Sequence, residues 1–153
     1  DGYEGLNALL GYLARFTAEF ATIAITLPRG VPLSSLVENP YALKSAPEHS
    51  YMARVTNAPA ALALLRPQEP FTVEVCDQFL PENSGVYRVS AEGAQRENAA
   101  PDIALSEHAL AQLVTGFLPL YQLAARSDVR VNTDPTRIAR ALCVREPYIM
   151  SHF

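Results

Sequence analysis

Residues 71–90 read Phe71-Thr72-Val73-Glu74-Val75-Cys76-Asp77-Gln78-Phe79-Leu80-Pro81-Glu82-Asn83-Ser84-Gly85-Val86-Tyr87-Arg88-Val89-Ser90. Phe71, Val73 and Val75 alternate with Thr72, Glu74 and Cys76, the period of a strand with one apolar side. Leu80 to Gly85 supply turn residues before Val86 to Ser90 resume. The stretch predicts a hairpin with a long polar connection. Upstream, Tyr51, Ala53 and Val55 alternate against Met52, Arg54 and Thr56 and predict another strand. Asn57 is placed to cap a short helix with Pro59 in its first turn, running through Ala60 to Leu65 until Pro67 and Pro70 close it.

Further toward the N-terminus, residues 38–50 mix Asn39, Pro40, Ser45, Pro47 and His49 without an apolar period, which predicts a boundary. Before it, Leu6, Leu9, Leu10, Leu13 and Phe16 share one helical stripe. Ile23, Ile25 and Leu27 then alternate with Thr22 and Thr26, predicting a strand over Phe20 to Leu27. Downstream of the hairpin, residues 91–101 read as loop. Leu110, Leu113, Val114, Phe117, Leu118 and Tyr121 keep helical spacing after a cap at Ser106, with Gly116 and Pro119 splitting the run into two helices at a bend. Asp134-Pro135 starts the last helix, whose buried side is Ile138, Ala139 and Leu142. The fold class is α+β.

The chain has 153 residues, 49% of them hydrophobic and 18% charged. That suffices for one ordinary core, excludes two large domains, and is too apolar for a disordered tail. Net charge is −4 and the 12 Lys and Arg are scattered singly, so nucleic acid is not an expected partner. Cys76 and Cys143 stand 67 positions apart, no disulfide framework and no zinc spacing. Both read as buried thiols in a reducing compartment. With no span-length apolar run and no signal segment, no membrane partner is expected and cytoplasm is the expected location. The first residue, Asp1, is not an initiator methionine, and marks the chain as an expected piece of something longer.

Motifs for phosphate loops, dinucleotide folds, nucleophile elbows and metal sites are missing. His49 and His108 read as solvent-facing imidazoles. Glu74 and Asp77 fall on opposite faces and read as solvated carboxylates, not an acid/base pair. The tail differs: Tyr148, Ile149, Met150 and Phe153 are apolar and poorly solvated as a loose end. It is expected to dock, either fixing the α-carboxylate of Phe153 in a partly desolvated position or acting as a plug that seals a core.

Met52-Ala53-Arg54-Val55 followed by Ala58-Pro59-Ala60-Ala61-Leu62 resembles the leading strand and helix of the C-terminal domain of the Eis (enhanced intracellular survival) acetyltransferases. Phe71 to Asp77 followed by Leu80-Pro81-Glu82-Asn83-Ser84-Gly85-Val86-Tyr87-Arg88 is similar to that family's D-x-x-L-P-x-N-x-G hairpin. Asp102 to Ala124, with Leu110, Leu113, Gly116 and Leu123, looks like its helix pair. The resemblance implies a sterol-carrier-protein-like domain over residues 51–153, a small mixed sheet with helices packed on one face. It implies a linker over 41–50 and, over 1–40, a helix and strand left from a central acetyltransferase-like domain.

By the same resemblance, the carboxylate of Phe153 is the general base of an N-acetyltransferase of the GCN5-related type, with His152 and Ser151 beside it in the acceptor pocket. The segment itself binds no cofactor and is inactive alone; acetyl-CoA belongs to the full-length enzyme. Its partners are the preceding acetyltransferase domains of the same polypeptide, an amine substrate and further copies in a homo-oligomer. Some relatives carry an acidic residue where His152 and Ser151 stand, a departure that tells against a polycationic acceptor. The alternatives are a sterol-carrier-like lipid-binding module without catalysis, with a tunnel under the helices from Ser106 to Cys143, and a purely structural interaction domain.

Overall fold

The computed structural model describes residues 2–28, 30–46 and 52–142. Their contacts separate into two units, residues 1–49 and 50–153. In the first unit, helix α1 (Gly2–Leu13) carries the predicted apolar stripe and runs into a 3-10 turn at Ala14–Phe16. The strand expected over 20–27 is not formed: the residues alternate, but no partner strand pairs with them among the described residues. Alternation states a preference, whereas a strand exists only through its neighbour's hydrogen bonds. No described residue of this unit is buried. Tyr12 packs edge-on against Phe16 with ring centres 5.2 Å apart, and Leu13, Phe20 and Ile23 complete a shallow, open apolar hollow.

The second unit holds the core. Residues 52–57 form neither helix nor strand, so the strand expected at 51–55 is not formed over its described part. Helix α2 (Ala58–Ala63) begins where Asn57 Oδ1 accepts from Ala60 N at 2.9 Å. Strand β1 (Phe71–Cys76) and strand β2 (Gly85–Ser90) make the predicted hairpin, antiparallel with Phe71 opposite Val89 and Val73 opposite Tyr87. Strand β3 (Gly93–Arg96) lies inside the stretch expected to be loop. Strand β4 (Ile103–Ser106) precedes helix α3 (Glu107–Thr115), where helix alone was expected. Helix α4 (Leu120–Leu123), strand β5 (Val129–Val131) and helix α5 (Pro135–Ala141) complete the described chain.

The sheet order is β3-β2-β1-β4-β5, with β1 and β4 parallel and the other pairs antiparallel. The pairing registers put Phe71, Val73, Val75, Tyr87, Val89, Ile103 and Leu105 on one face. Leu62, Leu110, Leu113, Leu123 and Ile138 of the four helices join them in a single buried cluster. Glu74, Cys76, Arg88 and Arg130 stand on the other, open face. Gly116 ends α3 in a left-handed conformation, φ 73°, and Pro119 starts α4, the predicted bend. On α5 the buried residues are Ile138 and Ala141. Ala139 is exposed, against expectation.

Candidate functional site

Ser151, His152 and Phe153 lie outside the described residues, as do Cys143 and His49. The chain that leads toward them is well tied. Asp134 caps α5 through Thr136 N at 2.9 Å, and Gln68 N donates to Ala141 O at 3.0 Å. Arg137 Nη1 reaches Asp102 Oδ1 at 3.0 Å, while Asp102 Oδ2 accepts from Thr72 N at 2.8 Å. Leu142, the last described residue, packs half-buried against the core. The helix before the tail is thus fixed to the start of β1.

Two further carboxylates within the second unit gather polar partners. Asp77 is 4% exposed, which overturns its reading as a solvated side chain. Its Oδ1 accepts from Arg54 Nη2 at 2.7 Å, Phe79 N at 3.0 Å and Leu80 N at 2.9 Å, and its Oδ2 from Asn83 Nδ2 at 3.2 Å. Burial pushes its pKa up. The Leu80 N–H, the Asn83 amide, the Phe79 N–H and the Arg54 guanidinium together outweigh burial and leave it lowered.

Asp128 takes both arms of Arg126, at 2.8 and 2.7 Å, and the hydroxyl of Ser106. Arg126 is the larger cause, and against burial it lowers the Asp128 pKa to about 2. Ser106 also caps α3, accepting from Ala109 N at 3.1 Å. This cluster therefore joins the end of β4, the start of α3 and the start of β5.

Neither carboxylate suits proton abstraction, because a lowered pKa with the lone pairs already engaged makes a poor base near neutrality. They are frame residues. The D-x-x-L-P-x-N-x-G segment is likewise structural: Ala58 N donates to Asn83 Oδ1 at 2.9 Å, and the buried Tyr87 hydroxyl donates to Asn83 O at 2.8 Å. An Asp followed two and three residues on by accepted N–H groups is an Asx turn, and the Asp-x-x-Leu-Pro spacing was the available signal for it.

The remaining candidates stay apart. Cys76 is exposed at the end of β1, correcting its reading as a buried thiol. Its side chain follows Thr72 and Glu74 onto the open face, where Glu74 pairs with Arg130 at 3.8 Å. His108 is solvent-facing, as expected, with Nδ1 3.1 Å from the buried Glu107. Among the described residues no three His, Cys, Asp or Glu side chains converge as a metal site. No described helix is long and apolar enough to cross a membrane.

Solved structures similar to this chain include N-acetyltransferases and a protein described as a probable N-acyltransferase. Eis1 from Mycobacterium abscessus is similar at a TM-score of 0.72 and 28% identity, over 82% of this chain and 34% of its own. A conserved protein of unknown function from Enterococcus faecalis V583, described as a "Probable N-Acyltransferase", matches at 0.65 and 20% identity, over 81% of this chain and 34% of its own. A GCN5-related N-acetyltransferase from Kribbella flavida matches at 0.54 and 23%, over 65% and 28%. The latter two bear on fold alone.

The chain spans about a third of the length of these relatives. The coverage on Eis1 exceeds what residues 50–153 can supply, so that likeness reaches into the first unit. Comparison with curated proteins gives no match. The sterol carrier protein domain matches residues 57–150, from the cap of α2 to beyond α5. With its one-faced mixed sheet and most of its length inside that match, the chain belongs to the sterol carrier protein domain family.

Proposed function

We propose that this chain is the C-terminal portion of an Eis-like N-acetyltransferase, and that it completes the pocket for an amine acceptor. The likeness to Eis1 across both units is the observation that carries the reading. A second feature supports it: the first unit buries no described residue yet exposes Tyr3, Leu9, Tyr12, Phe20 and Ile23. Preceding acetyltransferase domains of the same polypeptide would cover that surface.

In this reading acetyl-CoA belongs to the preceding domains and not to this segment. A pyrophosphate needs free N–H groups at a helix start or a glycine cradle, and the starts of α2, α3 and α5 are capped by Asn57, Ser106 and Asp134. What this chain supplies is its own tail. The α-carboxylate of Phe153, with Ser151 and His152 beside it, holds the acceptor's amine and takes its proton. An ordinary α-carboxyl titrates at about 3.5, so a partly desolvated seat that raises it is part of the proposal.

Isothermal titration of the 153-residue chain with acetyl-CoA should show no binding, and measurable binding defeats the assignment. In the full-length parent, one glycine added after Phe153 should lower kcat about a hundredfold, because a displacement of one residue takes the anion out of reach. An unchanged rate removes the carboxylate from the mechanism. A lipid carrier needs a lined cavity of about 300–1,000 Å³. Two hollows among the described residues, one in the first unit and one beside Arg88 and Gly93, are open to solvent. Displacement of a fluorescent fatty acid at micromolar affinity would favour that rival.

A further inference from the structure

Residues 52–57 open the described part of the second unit and belong to no regular element, yet, besides the cap that Asn57 gives α2, three polar ties hold them and the residue that follows. Arg54 Nη2 donates to Asp77 Oδ1 at 2.7 Å, Asn83 Nδ2 donates to Val55 O at 3.4 Å, and Ala58 N donates to Asn83 Oδ1 at 2.9 Å. The Arg54 guanidinium also lies 5.1 Å from the centre of the Phe79 ring, which is 71% exposed. Every partner comes from one loop, residues 77–84 between β1 and β2.

That loop is shaped for the task. Asp77 accepts the loop's own N–H groups at Phe79 and Leu80 with the same oxygen that meets Arg54. Ser84 Oγ accepts from Asp77 N at 2.9 Å, which closes the loop's base. Asp77 and Asn83 thus each hold the loop and the segment at once.

The apolar contribution is small. Met52, Ala53, Arg54, Thr56 and Asn57 are exposed, and of this segment only Val55 packs, half-buried, against the core. Lifting the segment breaks a few polar contacts and uncovers little apolar surface, whereas unfolding β1 uncovers Phe71, Val73 and Val75. Local opening with that imbalance costs far less than global unfolding.

We propose that residues 52–57 are a strap and residues 77–84 its buckle, a unit that opens by itself while the sheet beneath stays folded. The path by which the chain enters the second unit is then a releasable junction governed by Arg54, Asp77 and Asn83. This goes beyond the acetyltransferase reading and stands or falls separately from it.

Hydrogen exchange on the 153-residue chain tests it, with Arg54→Met and Asp77→Asn as variants. The second keeps an amide oxygen for Phe79 and Leu80 while losing the charge. In both, the amides of Ala58, Phe79 and Leu80 should exchange about tenfold faster than in the parent chain, and those of β1 and β2 at unchanged rates. Arg54→Lys, which restores the charge, should fall between. Acceleration confined to strap and buckle in both variants supports the proposal. Equal acceleration in β1 and β2, or none at the three reporter amides, in either variant overturns it.

Discussion

Asp128 gives a titration with a defined sign. Its carboxyl is held at about 2 in the folded chain against 3.8 for the free group, so its contribution is complete above about pH 4 and disappears as pH falls through the folded value. The side chain is 31% exposed, and solvent screening discounts the contribution to about 1–2 kcal/mol. Urea midpoints of the parent chain and Asp128→Asn should differ at pH 6 and converge toward pH 2; a constant difference would mean the Arg126 pair is not the source. Gly85 gives a second prediction. It sits at φ +147°, and a Cβ there would come 2.9 Å from Arg96 Nη1. Since the guanidinium can swing away, backbone strain dominates, and Gly85→Ala should cost about 1–3 kcal/mol in denaturant unfolding. At this scale the caps at Asn57, Ser106 and Asp134 were legible, Asn57 and Asp134 from the proline in the helical turn that follows and Ser106 from the helical spacing after it. The burial of Asp77 was missed: its Asx turn with Phe79 and Leu80 was signalled only by the Asp-x-x-Leu-Pro spacing, and its partner Arg54 lies 23 positions earlier in the chain.

Elements divide by how much of their stability is local. The α3–α4 bend is written in Gly116 and Pro119, and replacing Gly116 with Ala should cost about 1 kcal/mol by forcing a Cβ into the left-handed region. Thermal melts would read this as a lowered Tm with the helix content kept. Asn57→Ala should cost a similar amount, about 1 kcal/mol, through loss of the α2 cap. The hairpin of β1 and β2 was legible from residues 71–90 because both strands alternate and the turn residues lie between them. Strand β3 was not. Gly93, Ala94, Gln95 and Arg96 have little strand preference, and their extended form is imposed by pairing with β2. Strands β4 and β5, of four and three residues, are too short to show a period, and β4 was absorbed into the helix that follows it. The proposed site at Ser151, His152 and Phe153 rests on the apolar tail and on the family resemblance, and it lies outside the described residues.

On the scale of the whole molecule, the two units differ in kind. The second has a closed cluster running from Ala58 to Ala141, and the first has none among its described residues. Residues 50–153 expressed alone should therefore keep a cooperative thermal transition, whereas residues 1–49 alone should show neither a transition nor dispersed amide resonances. A folded 1–49 fragment would contradict the reading of its apolar side as a surface meant for cover. The sheet order carries one further consequence. Its central strand, β1, is made before either flank, and the antiparallel partners β2 and β3 follow within the next 20 residues. The parallel partner β4 and its edge strand β5 come only afterwards. During synthesis on the ribosome, a three-stranded meander can therefore emerge and pair while the other flank is still inside the exit tunnel. Until β4 arrives, the unpaired side of β1 is open to wrong partners, so slowing translation just after residue 131, with β4 and β5 still enclosed, should raise aggregation more than slowing it after residue 97, when β1 to β3 are themselves still enclosed.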